Sequence, residues 1–377
     1  MKLPATRISI LLLSILCLTL LPSVAAQTKS WGFNGNGELG IGNYTNAVLP
    51  QTVTTVPDAT YINSGLYHTL FLKAGGSVHI SGVNIYGTLG DGETQGEAPT
   101  PIPVAGMTNA VQVATNGYHS MVLKADGTVW AWGVNTYGQI GNGTFSSSGC
   151  FCAPSPVQTL ISNVVQIDAG YNFSMALKAD GTVWGWGTLT GNGTAAVNAL
   201  PAQTGANVAE FNNIISISGG NAHALALGAD GTVWSWGWNR SGQLGSGSSS
   251  QNEHRHLPAR VNGLSGVTQI AAGEEHSVAL KSDGTVWVWG RNDQGQIGND
   301  TIFSGGCMCV PLPTQANITD VIDIKAEGYF TLARKRDGTV WAWGGNNYGQ
   351  IGNGVTANAQ RVPVQSMVGA GNALIGA

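Results

Sequence analysis

In the stretch VVQIDAGYNFSMALKADGTVWGWG, which begins at Val164, two short apolar segments meet at Lys178-Ala179-Asp180-Gly181. Asp favours a tight turn at that point and Gly supplies positive φ, so the pair predicts a β-hairpin. An Ile-centred segment precedes it, and a segment of the type PSPVQTL, from Pro154, follows the preceding hairpin. The prolines of that last segment suit an edge strand, where their own nitrogens need no ladder partner. Four strands per unit result. In TVWAWG, Trp130 and Trp132 share one strand face while Val129 and Ala131 share the other. Both faces are therefore apolar and both need cover.

The same pattern recurs along the chain. DGTVWAWG begins at Asp126, close copies begin at Asp180, Asp230, Asp283 and Asp337, and GGSVHISG from Gly75 and SWGFNGNGELG from Ser30 are worn copies. The position before the terminal Gly falls at Trp31, Ser81, Trp132, Trp186, Trp236, Trp289 and Trp343, separated by 50, 51, 54, 50, 53 and 54 residues. A period this regular predicts one all-β repeat architecture over residues 27–377, with the Asp and Trp columns as its structural repeat. Stacking four-stranded sheets around an axis covers both faces of each, which is the propeller solution to exposed edges.

The ends and the composition narrow the setting. Met1 to Ala26 reads as a secretory signal peptide: Lys2 and Arg7 lead into ISILLLSILCLTLL and then into small residues before Gln27. The apolar core of about 14 residues falls short of the roughly 20 that span a bilayer, so no membrane span is expected after cleavage. A secreted or extracytoplasmic location follows. Without the leader the net charge is about −6 on a chain that is 10% charged, against −4 for the whole sequence. The longest basic run, Arg334-Lys335-Arg336, adjoins a turn and reads as a solvated hairpin tip. Nucleic-acid affinity rests on clustered Lys and Arg, so no nucleic-acid partner is expected.

The segment AAGEEHSVALKSDGTVWVWGRNDQGQIG, residues 271–298, resembles the repeat of the regulator of chromosome condensation family, and similar units cover the chain from Trp31 onward. The resemblance implies a seven-bladed β-propeller of about 50-residue, four-stranded units. Closure departs from that pattern. Pro363 to Ala377 aligns without a gap on Pro156 to Gly170, and the N-terminus supplies only the later part of a unit. The closing blade is therefore expected to be incomplete, the alternative being six blades plus extra strands.

Fold resemblance does not settle activity. The founding nuclear member of the family exchanges nucleotide on a small GTPase and binds chromatin; an exported acidic chain with no basic tail weighs strongly against guanine-nucleotide exchange. A secreted β-lactamase-inhibitory propeller built from similar units, whose binding face uses aromatic residues in inter-strand loops, is the better guide. Two loop columns here hold Tyr67, Tyr118 and Tyr329, with Tyr171 one place earlier, and Tyr86, Tyr137 and Tyr348. Loops joining strands one to two and three to four emerge on the same face, so these tyrosines are expected to form an arc on one rim. Tyrosine combines large contact area with low rotamer cost. The arc is either a partner-binding surface or loop packing between blades, and the two roles are compatible. Units outside it offer Glu274, Glu275, Arg240 and Asp293. The expectation is a non-enzymatic binding or scaffold propeller for an extracellular or envelope protein, with a glycan ligand or a carbohydrate-active enzyme as alternatives.

The remaining chemistry is sparse. The column His68, His119, His223 and His276 has Phe173 and Phe330 in matching places, so a hydrogen-bonded structural role is expected for it. His254 and His256 could face one metal ion but lack a clear third ligand, and no metal or cofactor is expected. No Gly-x-Ser-x-Gly, His-Glu-x-x-His or phosphate-cradling motif occurs, and no catalytic residue is assigned. Four of five cysteines form two Cys-x-Cys pairs, Cys150 with Cys152 and Cys307 with Cys309, on matching insertions three units apart. Opposite outer rims lie roughly 30 to 40 Å apart, far beyond the about 7 Å between Cα atoms that a disulfide needs. Local disulfides within each pair are the expectation, with thiolate metal sites as the rival.

Overall fold

The computed structural model of the chain describes residues 27–146, 148–301 and 307–367. The leader Met1–Ala26 and the end of the expected closing unit lie outside the described residues. Six four-stranded antiparallel sheets follow one another, at 59–103, 110–158, 164–203, 214–260, 267–315 and 321–365, each pairing its strands in chain order. We call these blades one to six. A further sheet has two strands, Lys29–Gly32 and Ala47–Thr52.

Blade three shows why the unit folds as it does. Phe173–Lys178 pairs with Val183–Gly187 in unbroken register, Phe173 opposite Gly187 and Leu177 opposite Val183. Between them Asp180 Oδ1 accepts from the Thr182 backbone N–H at 3.0 Å and from its hydroxyl at 2.6 Å, while Gly181 takes φ +79°. The Asp column is thus a set of turn caps, repeated at Asp126, Asp230, Asp283 and Asp337. The outer strand Asn198–Gln203 carries Pro201, as the outer strands of the other blades carry theirs.

The cores lie between blades. Met121, Val129 and Ile140 of blade two pack with Ile167, Ala176 and Trp186 of blade three. Trp132, Trp186, Trp236, Trp289 and Trp343 are completely buried. Each indole Nε1 donates to a loop carbonyl of the preceding blade, of Thr88, Gln139, Leu189, Gln243 and Gln296 respectively, at 2.7 to 3.1 Å. The loop glycine beside each ring permits the approach: a Cβ on Gly141 would stand 2.7 Å from Trp186 Nε1. Near the axis, glutamines tie neighbours together. Gln112, Gln166 and Gln269 each donate to and accept from the backbone of the next blade, at Ile167, Ile217 and Ile324.

The expectation of seven blades needs correction. Among the described residues six blades have four strands, and two extra strands accompany them, which is the alternative arrangement. The N-terminal part of the chain supplies only the later strands of a unit, and the described chain ends two residues after the outer strand of blade six. The two-stranded sheet stands between blades six and one: Trp31 Nε1 donates to Gln350 O at 2.8 Å, and Ser81 Oγ donates to Glu38 O at 2.8 Å.

Candidate functional site

The loops after the first and third strands gather most of the chemistry that the repeat does not need for folding. Tyr67, from the first loop of blade one, stacks on Tyr118, from the first loop of blade two, with ring centroids 5.2 Å apart. Tyr86, from the third loop of blade one, meets Tyr118 edge-on at 5.5 Å, and Tyr171 of blade three does so at 5.9 Å. Tyr118 is thus the hub of a four-ring cluster. Burial and hydrogen bonding with Tyr67 hold its phenol protonated well above the usual tyrosine range. Tyr86 remains 41% exposed, so the cluster presents surface as well as packing.

The other arc tyrosines stand apart from this cluster. Tyr137 is 40% exposed, and Tyr348 packs edge-on against Phe33 at 4.9 Å. Tyr329 lies over the Arg291 guanidinium, 4.7 Å from ring centroid to Cζ. Burial and a hydrogen bond with Glu274 push its phenol up as well. Ring-to-ring contacts thus join four of the seven tyrosines, and the other three occupy separate positions.

Blades four and five carry an ionic network instead. The nearly buried Glu275 carboxylate accepts from Arg240, from Ser241 Oγ at 2.9 Å and from Arg291 Nη1 at 3.3 Å. Arg291 also grips Asp293 with two bonds, Nε to Oδ1 at 2.8 Å and Nη2 to Oδ2 at 2.5 Å. Burial pushes the Asp293 carboxyl up, but the Arg291 and Gln296 hydrogen bonds outweigh it and leave the group below the usual range. Arg291, the centre of this network, was not anticipated from sequence. Its signal was a departure from the repeat: the position after Trp-Gly holds Val83, Val134, Thr188 and Trp238 elsewhere.

A second group missed by sequence reasoning lines the axis. Asp168, Lys325 and Glu327 face a central cavity of about 150 Å³ with Tyr61 and Asn63. Burial raises the Asp168 carboxyl to about 6, although the Ala169 and Gly219 amides donate to it. Burial and the Asp168 charge raise Glu327 well above the carboxylate range. Burial opposes the charge on Lys325, but Tyr61 and Asp168 more than compensate, and the ammonium holds its proton.

The four column histidines are interior braces. Their Nε2 atoms meet Ser120, Ser174, Ser277 and Thr331 of the following blades at 2.8 to 3.0 Å. Burial lowers His68 and His223 to about 3 and His119 and His276 to about 4, so all are neutral. His254 and His256 lie 6.3 Å apart, centroid to centroid, and among the described residues no group of three or more ligating side chains could hold a metal ion. Both cysteine pairs form local disulfides, with Cα separations of 5.1 Å for Cys150–Cys152 and 5.2 Å for Cys307–Cys309.

Comparison with known families settles the ancestry of this architecture. Residues 96–374 match the family model of the RCC1-like domain, and residues 30–72 match the regulator of chromosome condensation (RCC1) repeat. The chain belongs to the RCC1-like domain family. It is 28% identical over 355 residues to the mouse secretion-regulating guanine nucleotide exchange factor, an alignment covering 91% of this chain and 65% of that protein. It is 28% identical over 340 residues to the Arabidopsis thaliana ultraviolet-B receptor UVR8, covering 86% and 74%. The crystal structure of Saccharomyces cerevisiae Prp20p, described with its binding to Gsp1p and histones, superposes on the fold of this RCC1-like chain with a TM-score of 0.78 at 24% identity, covering 91% and 86%.

These relatives overturn three expectations. The chain was expected to be a non-enzymatic binding or scaffold propeller, to have no nucleic-acid partner, and to engage an extracellular or envelope protein or a glycan. An RCC1-like chain aligned with an exchange factor along 91% of its length does not support excluding exchange activity. The partner expectation is likewise withdrawn, since the propeller with this fold whose structure is described with binding partners, Prp20p, is described with Gsp1p and histones. Exchange was weighed against on export and net acidity, and enzymes in general on the absence of catalytic motifs. Accelerating release of a bound nucleotide needs only tighter binding of the state from which it leaves, which requires no nucleophile, acid or metal ligand on the propeller. Net charge of the whole chain equally says little about one face.

Proposed function

We propose that this RCC1-like propeller is a guanine nucleotide exchange factor acting on a small GTP-binding protein through the face that carries the tyrosine cluster. The observation that carries the reading is the 355-residue alignment with the mouse exchange factor. Since the chain spans 65% of that relative, the transfer concerns the propeller and what a propeller can do alone.

The geometry supports a docking face of two parts. Tyr67, Tyr86, Tyr118 and Tyr171 supply rigid aromatic area with polar tips, the composition of interface hot spots. Arg240 and the Arg291–Asp293 pair supply charge that fixes the register of a partner. Exchange then follows from differential affinity: each tenfold preference for the nucleotide-free partner over its nucleotide-bound form lowers the release barrier by up to about 1.4 kcal/mol. The two-stranded sheet is read as the outer half of a seventh blade, because Trp31 repeats the indole-to-loop bond of the other units.

Affinity for a nucleotide-depleted against a GDP-loaded GTPase, measured by calorimetry, tests the proposal. At least about tenfold tighter binding of the depleted form is expected; equal affinity for both forms contradicts exchange while leaving docking intact. Export through Met1–Ala26 is a separate proposal, supported by Gln27 as the first residue of the isolated protein and contradicted by Met1. The outcome also decides whether the chain shares a compartment with cytoplasmic GTPases.

A further inference from the structure

The two disulfides close very small rings, and neither braces distant parts of the fold. A crosslink restrains the unfolded chain according to the logarithm of the loop it closes, so a sequence separation of two contributes little. The middle residue of each ring instead sits in the left-handed region, Phe151 at φ 56° and Met308 at φ 48°, where L side chains are uncommon. Both side chains are apolar and exposed, at 44% and 52%. Accessible disulfides whose rings impose unfavourable backbone geometry are the ones that exchange readily with thiols.

The first ring has a setting suited to that chemistry. Cys150 forms part of the wall of a groove of about 900 Å³ between blades one and two, with Val83, Ile85, Tyr86, Gln95 and Glu97 as other lining residues. The ring's backbone is anchored independently of the S–S bond. Asn135 N donates to Phe151 O at 2.9 Å, and Cys152 lies opposite Val134 in the sheet. Opening the bond therefore leaves two thiols held side by side, ready to close again.

We propose that Cys150–Cys152 is a reactive disulfide that exchanges with substrate cysteine thiols reaching it from this groove. A substrate thiolate attacks Cys150 Sγ, the Cys150–Cys152 bond breaks, and Cys152 leaves as a thiolate that takes a proton from solvent. A second substrate thiolate then attacks the substrate sulfur of the mixed disulfide, and Cys150 leaves as a thiolate and is protonated. One protein disulfide and two substrate thiols become one protein dithiol and one substrate disulfide, with two electrons passing to the protein. The reverse sequence opens a substrate disulfide. The activity is independent of nucleotide exchange, and either can fail alone.

The test uses the purified, oxidised full chain and a reduced model peptide with two cysteines, following the peptide disulfide by mass. C307S/C309S should keep the wild-type initial rate within about twofold, and C150S/C152S should lose it at least about tenfold. An unchanged rate in C150S/C152S overturns the proposal. A fold-independent check is C152S, folded by circular dichroism, incubated with the oxidised peptide: a mixed disulfide mapped to Cys150 is expected, and no adduct there overturns the proposal.

Discussion

The loops of blades one to three and those of blades four and five occupy the same positions of the same repeat, yet they carry opposite chemistry. In the first group Tyr67, Tyr86 and Tyr171 surround Tyr118 and leave aromatic surface in contact with solvent. In the second, the nearly buried Glu275 is shared between Arg240 and Arg291, and Arg291 also clamps Asp293. The difference separates loop side chains whose removal costs mainly contact with a partner from those, such as Glu275, whose removal costs the protein its own bonding. An exposed ring can be removed with little loss of internal bonding, whereas a buried carboxylate that two guanidinium groups depend on cannot.

Changes in the scaffold beneath both regions should not tell them apart, and should have the largest effects. The neutral histidines give the first. Their folded pKa values lie near 3 to 4, below the unfolded value of about 6.5. A depressed folded value contributes stability that is present above 6.5 and lost as pH falls towards the folded value. Each histidine should therefore cost on the order of 2 kcal/mol between pH 7 and pH 5. Asp168 has the opposite sign: raised to about 6, it favours the fold as pH falls through 6, by on the order of 1 kcal/mol at pH 5. Four histidines outweigh it, so denaturation midpoints should fall steeply below pH 6.5. His223→Phe, which copies Phe173 and Phe330, should make that fall shallower.

Trp186→Ala should come next, costing about 3 to 5 kcal/mol in urea unfolding, because a fully buried ring and its bond to Gln139 O are lost together. Glu275→Ala should cost about 3 kcal/mol, since it strands Arg291 and Arg240 without their shared carboxylate. Tyr86→Ala should change stability by no more than about 1 kcal/mol while weakening partner affinity by about 2 kcal/mol, roughly thirtyfold. If Tyr86→Ala unfolded the protein as readily as Glu275→Ala, the contrast between the two regions would collapse.

Much of the scaffold was legible in the sequence, because a repeat states each physical requirement several times. Lys-Ala-Asp-Gly announced the hairpin, and the Trp column announced a buried ring per blade. Phe173 and Phe330 in the His column showed that no reactive imidazole was needed there. Closure was not legible in the same way, since blade number depends on how the two ends of the chain meet and not on any one unit. The tyrosine columns named the rings but not the cluster, which depends on side-chain direction across three blades. Arg291 and the axial group Asp168, Lys325 and Glu327 escaped notice because they break the repeat at single positions. Activity was misread for a different reason: export and whole-chain acidity were weighed against exchange, and exchange by differential binding leaves no catalytic motif to offset them.

Exchange is decided by the rate at which a fluorescent GDP analogue leaves small GTP-binding proteins in the presence of this chain. An acceleration of at least about tenfold over spontaneous release is expected for one of them, largely abolished by Tyr118→Ala in a folded protein. Release no faster than the spontaneous rate from every GTPase tried would contradict it.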